Sequence, residues 1–125
     1  MLQNYSTVKK TYGVPESQQA LIRAYLQGAV YCWCNTRGLG EENSFQARDF
    51  LGGDNFYWER TPMYSLYQYY LTNSNNDEGY AFEEAGKAAG RILKEVLDED
   101  KRIFVQVEGR VASYYWIGEY VEGEQ

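Results

Sequence analysis

The spacing of hydrophobic and polar positions changes once, late in the chain, from helical periodicity to the alternation of a β-strand. Before that point, the spacing and the cap residues predict four helices, over residues 15–34, 45–51, 62–72 and 78–99. After it, two alternating runs that flank a turn near residues 108–110 predict a β-hairpin. The sequence therefore predicts a mainly helical α+β fold, with about four helices followed by a C-terminal β-hairpin.

Residues with capping preferences mark several of these helix ends. Pro15 suits the first turn of the first helix, and Thr61-Pro62 is a typical start for the third. Ser44 is expected to cap the second helix, and Gly52-Gly53 is expected to end it. These signals define where each element should begin or stop.

The fourth helix, residues 78–99, has the clearest pattern. One side is apolar, and the opposite side carries charged residues that are spaced to pair across one turn. The apolar stripe consists of Phe82, Ala85, Ala89, Ile92, Leu93 and Val96. Gly86 and Gly90 lie beside it, and each costs roughly 1 kcal/mol relative to alanine within a helix. Close approach of another backbone would offset that cost.

The first helix is apolar over much of its surface, because no residue from Ala24 to Cys34 carries a charge. The pattern predicts one buried face and a wider apolar border around it. The predicted face consists of Leu21, Tyr25, Gly28, Ala29 and Cys32, and the border consists of Ile22, Leu26 and Trp33. Such a helix is expected either at the centre of the core or in a subunit interface.

The chain has 125 residues, no histidine and a formal net charge of −6. Its length fits a single globular domain over residues 1–125, with 1–12 and 121–125 expected to be poorly ordered. The absence of histidine excludes Ser-His and Cys-His nucleophiles and histidine-ligated metals. The residues that remain give no clear catalytic set, so we assign no catalytic residue and favour a protein that is not an enzyme.

Two cysteines, Cys32 and Cys34, lie in the first predicted helix and point about 200° apart. They cannot form a disulfide with each other there, and they are too few for a typical structural zinc site. We expect two small buried hydrophobic side chains, with a reactive thiol as the alternative. The sequence indicates no metal site and no cofactor.

The hydropathy and charge of the chain indicate which kinds of partner to expect. No apolar run is long enough for a membrane helix, and residues 1–10 lack the apolar core of a signal peptide. We therefore expect a cytoplasmic protein with no membrane partner. Residues 1–40 carry a net charge of +3 and residues 41–125 carry −9. This distribution argues against a broad phosphate-binding surface and permits complementary contacts between copies.

An alternative is an atypical DNA-associated regulator, because several helices followed by a hairpin are similar in outline to winged-helix domains. The likeness covers element order only and no sequence motif. The third helix would have to enter the DNA groove, yet residues 62–72 contain no lysine or arginine, and the predicted turn offers only Arg110. Nucleic acid is therefore not the expected partner.

The segment from residue 48 to residue 62 is the densest candidate ligand site, because it combines carboxylates, arginines and aromatic rings around a glycine pair. Its candidate residues are Arg48, Asp49, Asp54, Asn55, Tyr57, Trp58, Glu59 and Arg60. In an enzyme or sugar-binding protein, Asp49, Asp54 and Glu59 would supply acid and base around the Trp58 ring. The competing interpretation is a loop whose aromatic ring anchors it on the core.

Tyrosine is unusually frequent, with 13 in the chain. Tyrosine and tryptophan are favoured at interfaces because they bury large, rigid areas and keep a polar tip. We expect interface positions at Tyr64, Tyr69, Tyr114 and Trp116. The sequence therefore favours a small acidic binding domain that forms a homo-oligomer, a dimer or higher, with a protein partner or small ligand as further options.

Overall fold

The computed structural model describes residues 1–3, 14–51 and 60–119, apart from the side chain of Leu51. Its elements are β1 (Leu2–Gln3), α1 (Glu16–Arg37), a 3₁₀ turn (Glu41–Asn43), α2 (Arg48–Leu51), α3 (Tyr64–Thr72), α4 (Glu78–Glu99), β2 (Arg102–Val107) and β3 (Ser113–Glu119). Within this part of the chain, four helices precede the β2–β3 hairpin, so the predicted mainly helical α+β class is confirmed.

The bounds of α4 are those predicted from the sequence. Asp77 caps its first turn, where Oδ1 accepts a hydrogen bond from the backbone N–H of Tyr80 at 3.1 Å. The buried side chains are Ala81, Ala85, Ala88, Ala89, Ile92, Leu93, Glu95, Val96 and Leu97. The prediction was wrong for Phe82, which is exposed at the surface and lies 4.5 Å, between ring centroids, from Tyr67 of α3.

α1 buries a different face from the one predicted. Its buried side chains are Ile22, Leu26, Val30 and Cys34, at a spacing of four residues, and the helix packs against α4. Of the predicted face, Gly28 and Cys32 are exposed and Leu21 is 62% exposed. The charge-free stretch contains no marker of the solvent side, so periodicity alone did not distinguish two apolar faces.

The second helix is shorter than predicted because the chain pairs with the sheet instead. Ser44 does not act as the cap, since its Oγ donates to the carbonyl of Glu41 at 2.7 Å. Phe45 forms an antiparallel bridge with Tyr114 of β3, and α2 begins only at Arg48. The glycine pair that was predicted to end this helix lies outside the described residues.

The ends of α1 and α3 also differ slightly from the predicted bounds. α1 continues to Arg37 and ends at Gly38, whose φ of 88° favours glycine. α3 begins at Tyr64 because the residues before it form a turn. In that turn Thr61 Oγ1 accepts a hydrogen bond from the backbone N–H of Met63 at 3.2 Å.

A three-stranded sheet in the order β1-β2-β3 lies against α4. β2 and β3 are antiparallel, with Val105 opposite Tyr115, and β1 runs parallel to β2, with Leu2 opposite Phe104. The sequence predicted the hairpin but expected poor order at the N-terminus, where Leu2 is instead buried in the core. Residues 4–13 and 120–125 lie outside the described residues.

The outer edge of β3 is partly covered by the chain that follows α1. Phe45 and Tyr114 exchange two backbone hydrogen bonds, of 2.8 and 2.9 Å. The N–H of Gly40 donates to the carbonyl of Trp116 at 3.0 Å. This cover occupies backbone groups through which another copy could extend the sheet.

One ion pair joins α1 to α4. Arg23 Nη2 lies 2.8 Å from Glu95 Oε1, and the Glu95 side chain is much more buried than that of Arg23. Arg23 Nε and Glu95 Oε2 are buried and have no hydrogen-bond partner in the described part of the chain. The pairing of these charges is therefore what makes the buried carboxylate tolerable in the α1–α4 contact.

We predict that Arg23→Ala lowers the free energy of unfolding by about 1–3 kcal/mol, because the Glu95 carboxylate loses its cation. The loss is smaller than for a fully buried pair, since the Arg23 side chain is 39% exposed. Equilibrium urea denaturation measures it. Adding Glu95→Gln to Arg23→Ala removes the unpaired negative charge of Glu95 and should restore part of the free energy of unfolding. A double variant no more stable than Arg23→Ala would contradict this account.

Candidate functional site

The predicted ligand segment is only partly within the described residues. The candidate residues that lie outside the described ranges are Asp54, Asn55, Tyr57, Trp58 and Glu59. That these residues form a ligand site therefore stays a prediction.

At the two described ends of the predicted ligand segment, Arg48 and Arg60 are exposed. Asp49 Oδ2 accepts a hydrogen bond from the backbone N–H of Gln46 at 2.7 Å, which stabilises the start of α2.

The predicted interface tyrosines are used largely in packing within the chain. Tyr114 is 5% exposed, and burial, the largest effect, raises the pKa of its hydroxyl. Tyr64 stacks near Tyr67, with 5.9 Å between ring centroids, and Tyr69 contacts Tyr70 edge to face at 5.1 Å. These positions therefore leave less free aromatic surface than the sequence suggested.

Trp116 is half-buried against the core, and its indole N–H donates to the carbonyl of Gly118 at 2.8 Å. The guanidinium of Arg102 lies between this ring and the ring of Tyr31, 5.0 and 4.4 Å from the two centroids. Arg102 also donates to Asn35 Oδ1 at 3.1 Å. This stacking fixes the position of Tyr31 on the surface of α1.

The surface of α1 that faces away from α4 has no charge. We call it the outer face of α1, and it consists of Ala20, Leu21, Ala24, Gln27, Gly28, Tyr31 and Cys32, all of which are exposed. By contrast, the exposed side of α4 carries charged residues such as Glu83 and Lys87. A helix face with several exposed apolar or small residues and no charge is typical of a contact surface.

Small residues occupy the middle of this outer face. Ala24 and Gly28 are one turn apart, and a Cβ built on Gly28 meets no described atom within 4 Å. Larger side chains flank them, because Leu21 and Tyr31 are among the most exposed large hydrophobic residues. The face is thus low at its centre and raised towards both ends, a shape that allows another helix to approach closely.

A cavity of about 670 Å³ adjoins the outer face, between α1 and α4. Ala20, Ala24 and Gln27 line both the cavity and the face. Arg23 adds one positive charge to the cavity wall, and Glu16 and Glu99 add two negative charges. The outer face of α1 therefore continues into a concave, partly polar border.

The two cysteines differ in exposure, and the prediction that both are buried is wrong for Cys32. Cys32 lies at the border of the outer face, whereas Cys34 faces the core. Burial raises the pKa of the Cys34 thiol, and the nearby positive charge of Arg102 opposes part of that rise. The arrangement places one thiol on the candidate contact surface and keeps the other protonated in the interior.

In the described part of the chain, three other kinds of site lack a characteristic feature: a metal site, a membrane-spanning helix and a DNA-recognition helix. No group of three or more potential metal ligands comes together there. No helix within it is long and apolar enough to cross a membrane. α3, the counterpart of a recognition helix, contains no lysine or arginine. Comparisons with protein-family models, curated proteins and solved structures found no match to this chain.

We predict that Cys34 reacts at least about tenfold more slowly than Cys32 with a thiol reagent at neutral pH, because it is buried and its pKa is raised. The variants Cys32→Ser and Cys34→Ser isolate each thiol for measurement by mass spectrometry. In urea the two rates should converge. Equal rates in the folded chain would contradict the assigned burial.

Proposed function

We propose that this protein is an interaction domain that works as a homodimer, with the outer face of α1 as the contact between copies. The observation that supports the proposal is the exposed, charge-free surface along about four turns of α1. A solvated helix face of that length normally carries charged residues, as α4 does. Burial against a second copy gives the exposed Leu21 and Tyr31 apolar contacts.

The order of side chains fits an antiparallel pair of α1 helices. A two-fold axis level with Leu26 places Ala24 opposite the partner's Gly28, at the point of closest approach. The same axis places Leu21 opposite the partner's Tyr31, so that each large side chain packs beside another. A two-fold contact uses the same face on both copies, as this arrangement does.

Other surfaces are less suited to self-association. The outer edge of β3 is partly occupied by Gly40 and Phe45, which limits extension of the sheet between copies. The exposed side of α4 carries charged residues of both signs, which would lose hydration on association. Arg102 holds the Tyr31 ring in place before association, so less side-chain entropy is lost when the ring is buried.

We predict that Gly28→Glu raises the dissociation constant of the dimer by about a hundredfold or more, because two carboxylates would be buried at the contact. The monomer should become more stable by about 0.5 kcal/mol, since glutamate favours a helix more than glycine does. Light scattering measures the first effect and urea denaturation the second. Gln68→Glu, at an exposed position of α3, makes the same charge change away from the contact.

Gln68→Glu should leave the dimer intact. A wild-type chain that stays monomeric at submillimolar concentration would overturn the proposal. So would a dimer that Gly28→Glu and Gln68→Glu weaken equally, because the charge at position 28 would then have no special effect.

The antiparallel register can be tested by cross-linking. The proposed axis places residue 20 opposite the partner's Cys32, whereas the two Cys32 side chains are separated by about 18 Å along the helices. A short thiol-specific cross-linker should therefore join copies of Ala20→Cys and leave the wild type unlinked. Ala20→Cys combined with Cys32→Ser should lose the link. Efficient cross-linking of the wild type through Cys32 would instead indicate parallel helices.

A further inference from the structure

An open cavity of about 420 Å³ lies between α4 and the β2–β3 hairpin, and it shares no lining residue with the outer face of α1. Its volume is within the range of small-ligand sites. The helix wall is formed by Gly86, Lys87, Gly90, Arg91 and Lys94. We call this cavity the α4 groove.

Two glycines make the groove deep on the helix side. Gly86 and Gly90 are one turn apart, and a Cβ built on either meets no described atom within 4 Å. The sequence predicted close approach of another backbone at this point, but no such contact is found among the described residues. Within the described ranges, the glycines therefore weaken α4 without a packing contact in return, and they leave space for another molecule.

The helix wall carries three basic residues, although the whole chain is acidic. Lys87, Arg91 and Lys94 follow one another on the same side of α4. Lys87 is already paired, at 3.4 Å from Glu83 and 3.5 Å from Glu84. Arg91 forms no ion pair within the described part of the chain. Its guanidinium can therefore donate two parallel hydrogen bonds to a carboxylate or phosphate group.

The hairpin wall supplies a buried hydrogen-bond acceptor. Gln106 of β2 lines the groove and is 7% exposed, and its Oε1 has no hydrogen-bond partner among the residues that the structure describes. A buried acceptor without a donor is unfavourable, so a bound N–H or O–H group would relieve it. Val111, Ala112 and Tyr114 complete an apolar surface beside it.

We propose that the α4 groove binds a small organic anion. Its carboxylate or phosphate group is held by Arg91, and its apolar body lies over the two glycines and against Val111 and Ala112. An N–H or O–H group on the same molecule donates to Gln106 Oε1. This proposal is independent of the dimer contact, because it uses α4 and the hairpin.

Anilinonaphthalene sulfonate is a suitable probe because it combines an anion, an apolar ring system and an N–H donor. Fluorescence titration of the 125-residue chain should show one site per chain. Arg91→Gln should weaken binding by about tenfold or more, as expected for the loss of a charge-assisted hydrogen bond. Gly90→Leu should abolish binding by filling the groove, and leucine favours the helix more than glycine does, so the fold is retained.

Arg37→Gln is the matched control, since Arg37 is an exposed arginine that stacks on Trp33 away from the groove. It should leave the affinity unchanged, as should Gly28→Glu at the dimer contact. The uncharged analogue phenylnaphthylamine should bind at least about tenfold more weakly than the sulfonate. Displacement of the dye by phenylacetate or by phenyl phosphate identifies which anion the groove prefers, and either result supports the proposal.

Three results would overturn the proposal. The first is no saturable binding of the sulfonate to the wild type. The second is binding that neither Arg91→Gln nor Gly90→Leu changes. The third is equal affinity for the charged and uncharged dyes, which would indicate a general apolar surface rather than an anion site.

Discussion

The size of the side chains along α4 controls how closely the rest of the fold can pack. Ala81, Ala85, Ala88 and Ala89 have no exposed surface, and α1, α3, β1 and β2 all contact this helix. Small side chains allow several neighbours to approach one helix axis, and the larger Ile92 and Leu93 then fill the space further along. A larger residue at any of the four alanines would have to displace a neighbouring element.

This arrangement also determines which surfaces stay open. α1 uses Ile22, Leu26 and Val30 to contact α4, so its opposite side is largely exposed among the described residues, apart from the stacking of Arg102 on Tyr31. On α4, the buried alanines contact the neighbouring elements, whereas Gly86 and Gly90 face open space among the described residues. The two candidate surfaces are therefore the sides of the two long helices that the core does not use.

How much of the fold could be predicted depended on whether charges mark the solvent side. The bounds of α4 were predicted correctly because charged residues alternate with a regular apolar stripe. α1 has no such markers between Ala24 and Cys34, and the predicted face was wrong. β1 could not be predicted, because Leu2 pairs with Phe104, far along the chain, and two residues have no periodicity of their own.

For the candidate sites too, the sequence could not predict which distant residues come together. The sequence singled out the charge-free stretch of α1 and the glycines of α4, because each is unusual in its local context. It did not indicate that Gln106 lines the same groove as Arg91, since that proximity depends on how the hairpin packs on α4. It also assigned Tyr114 to an interface, whereas its pairing with Phe45 places the ring in the core.

The charges carried by α1 favour its outer face as the proposed contact between copies. Each chain carries a net charge of −6, so two copies repel each other at distances shorter than the screening length of about 8 Å in physiological salt. α1 itself carries Glu16, Arg23 and Arg37, a net charge of +1. The proposed contact through α1 therefore places a helix with a small positive net charge, rather than an acidic surface, between the two chains. In the proposed dimer, the absence of charge on this face of α1 avoids the cost of desolvating ions and adds no repulsion between the copies.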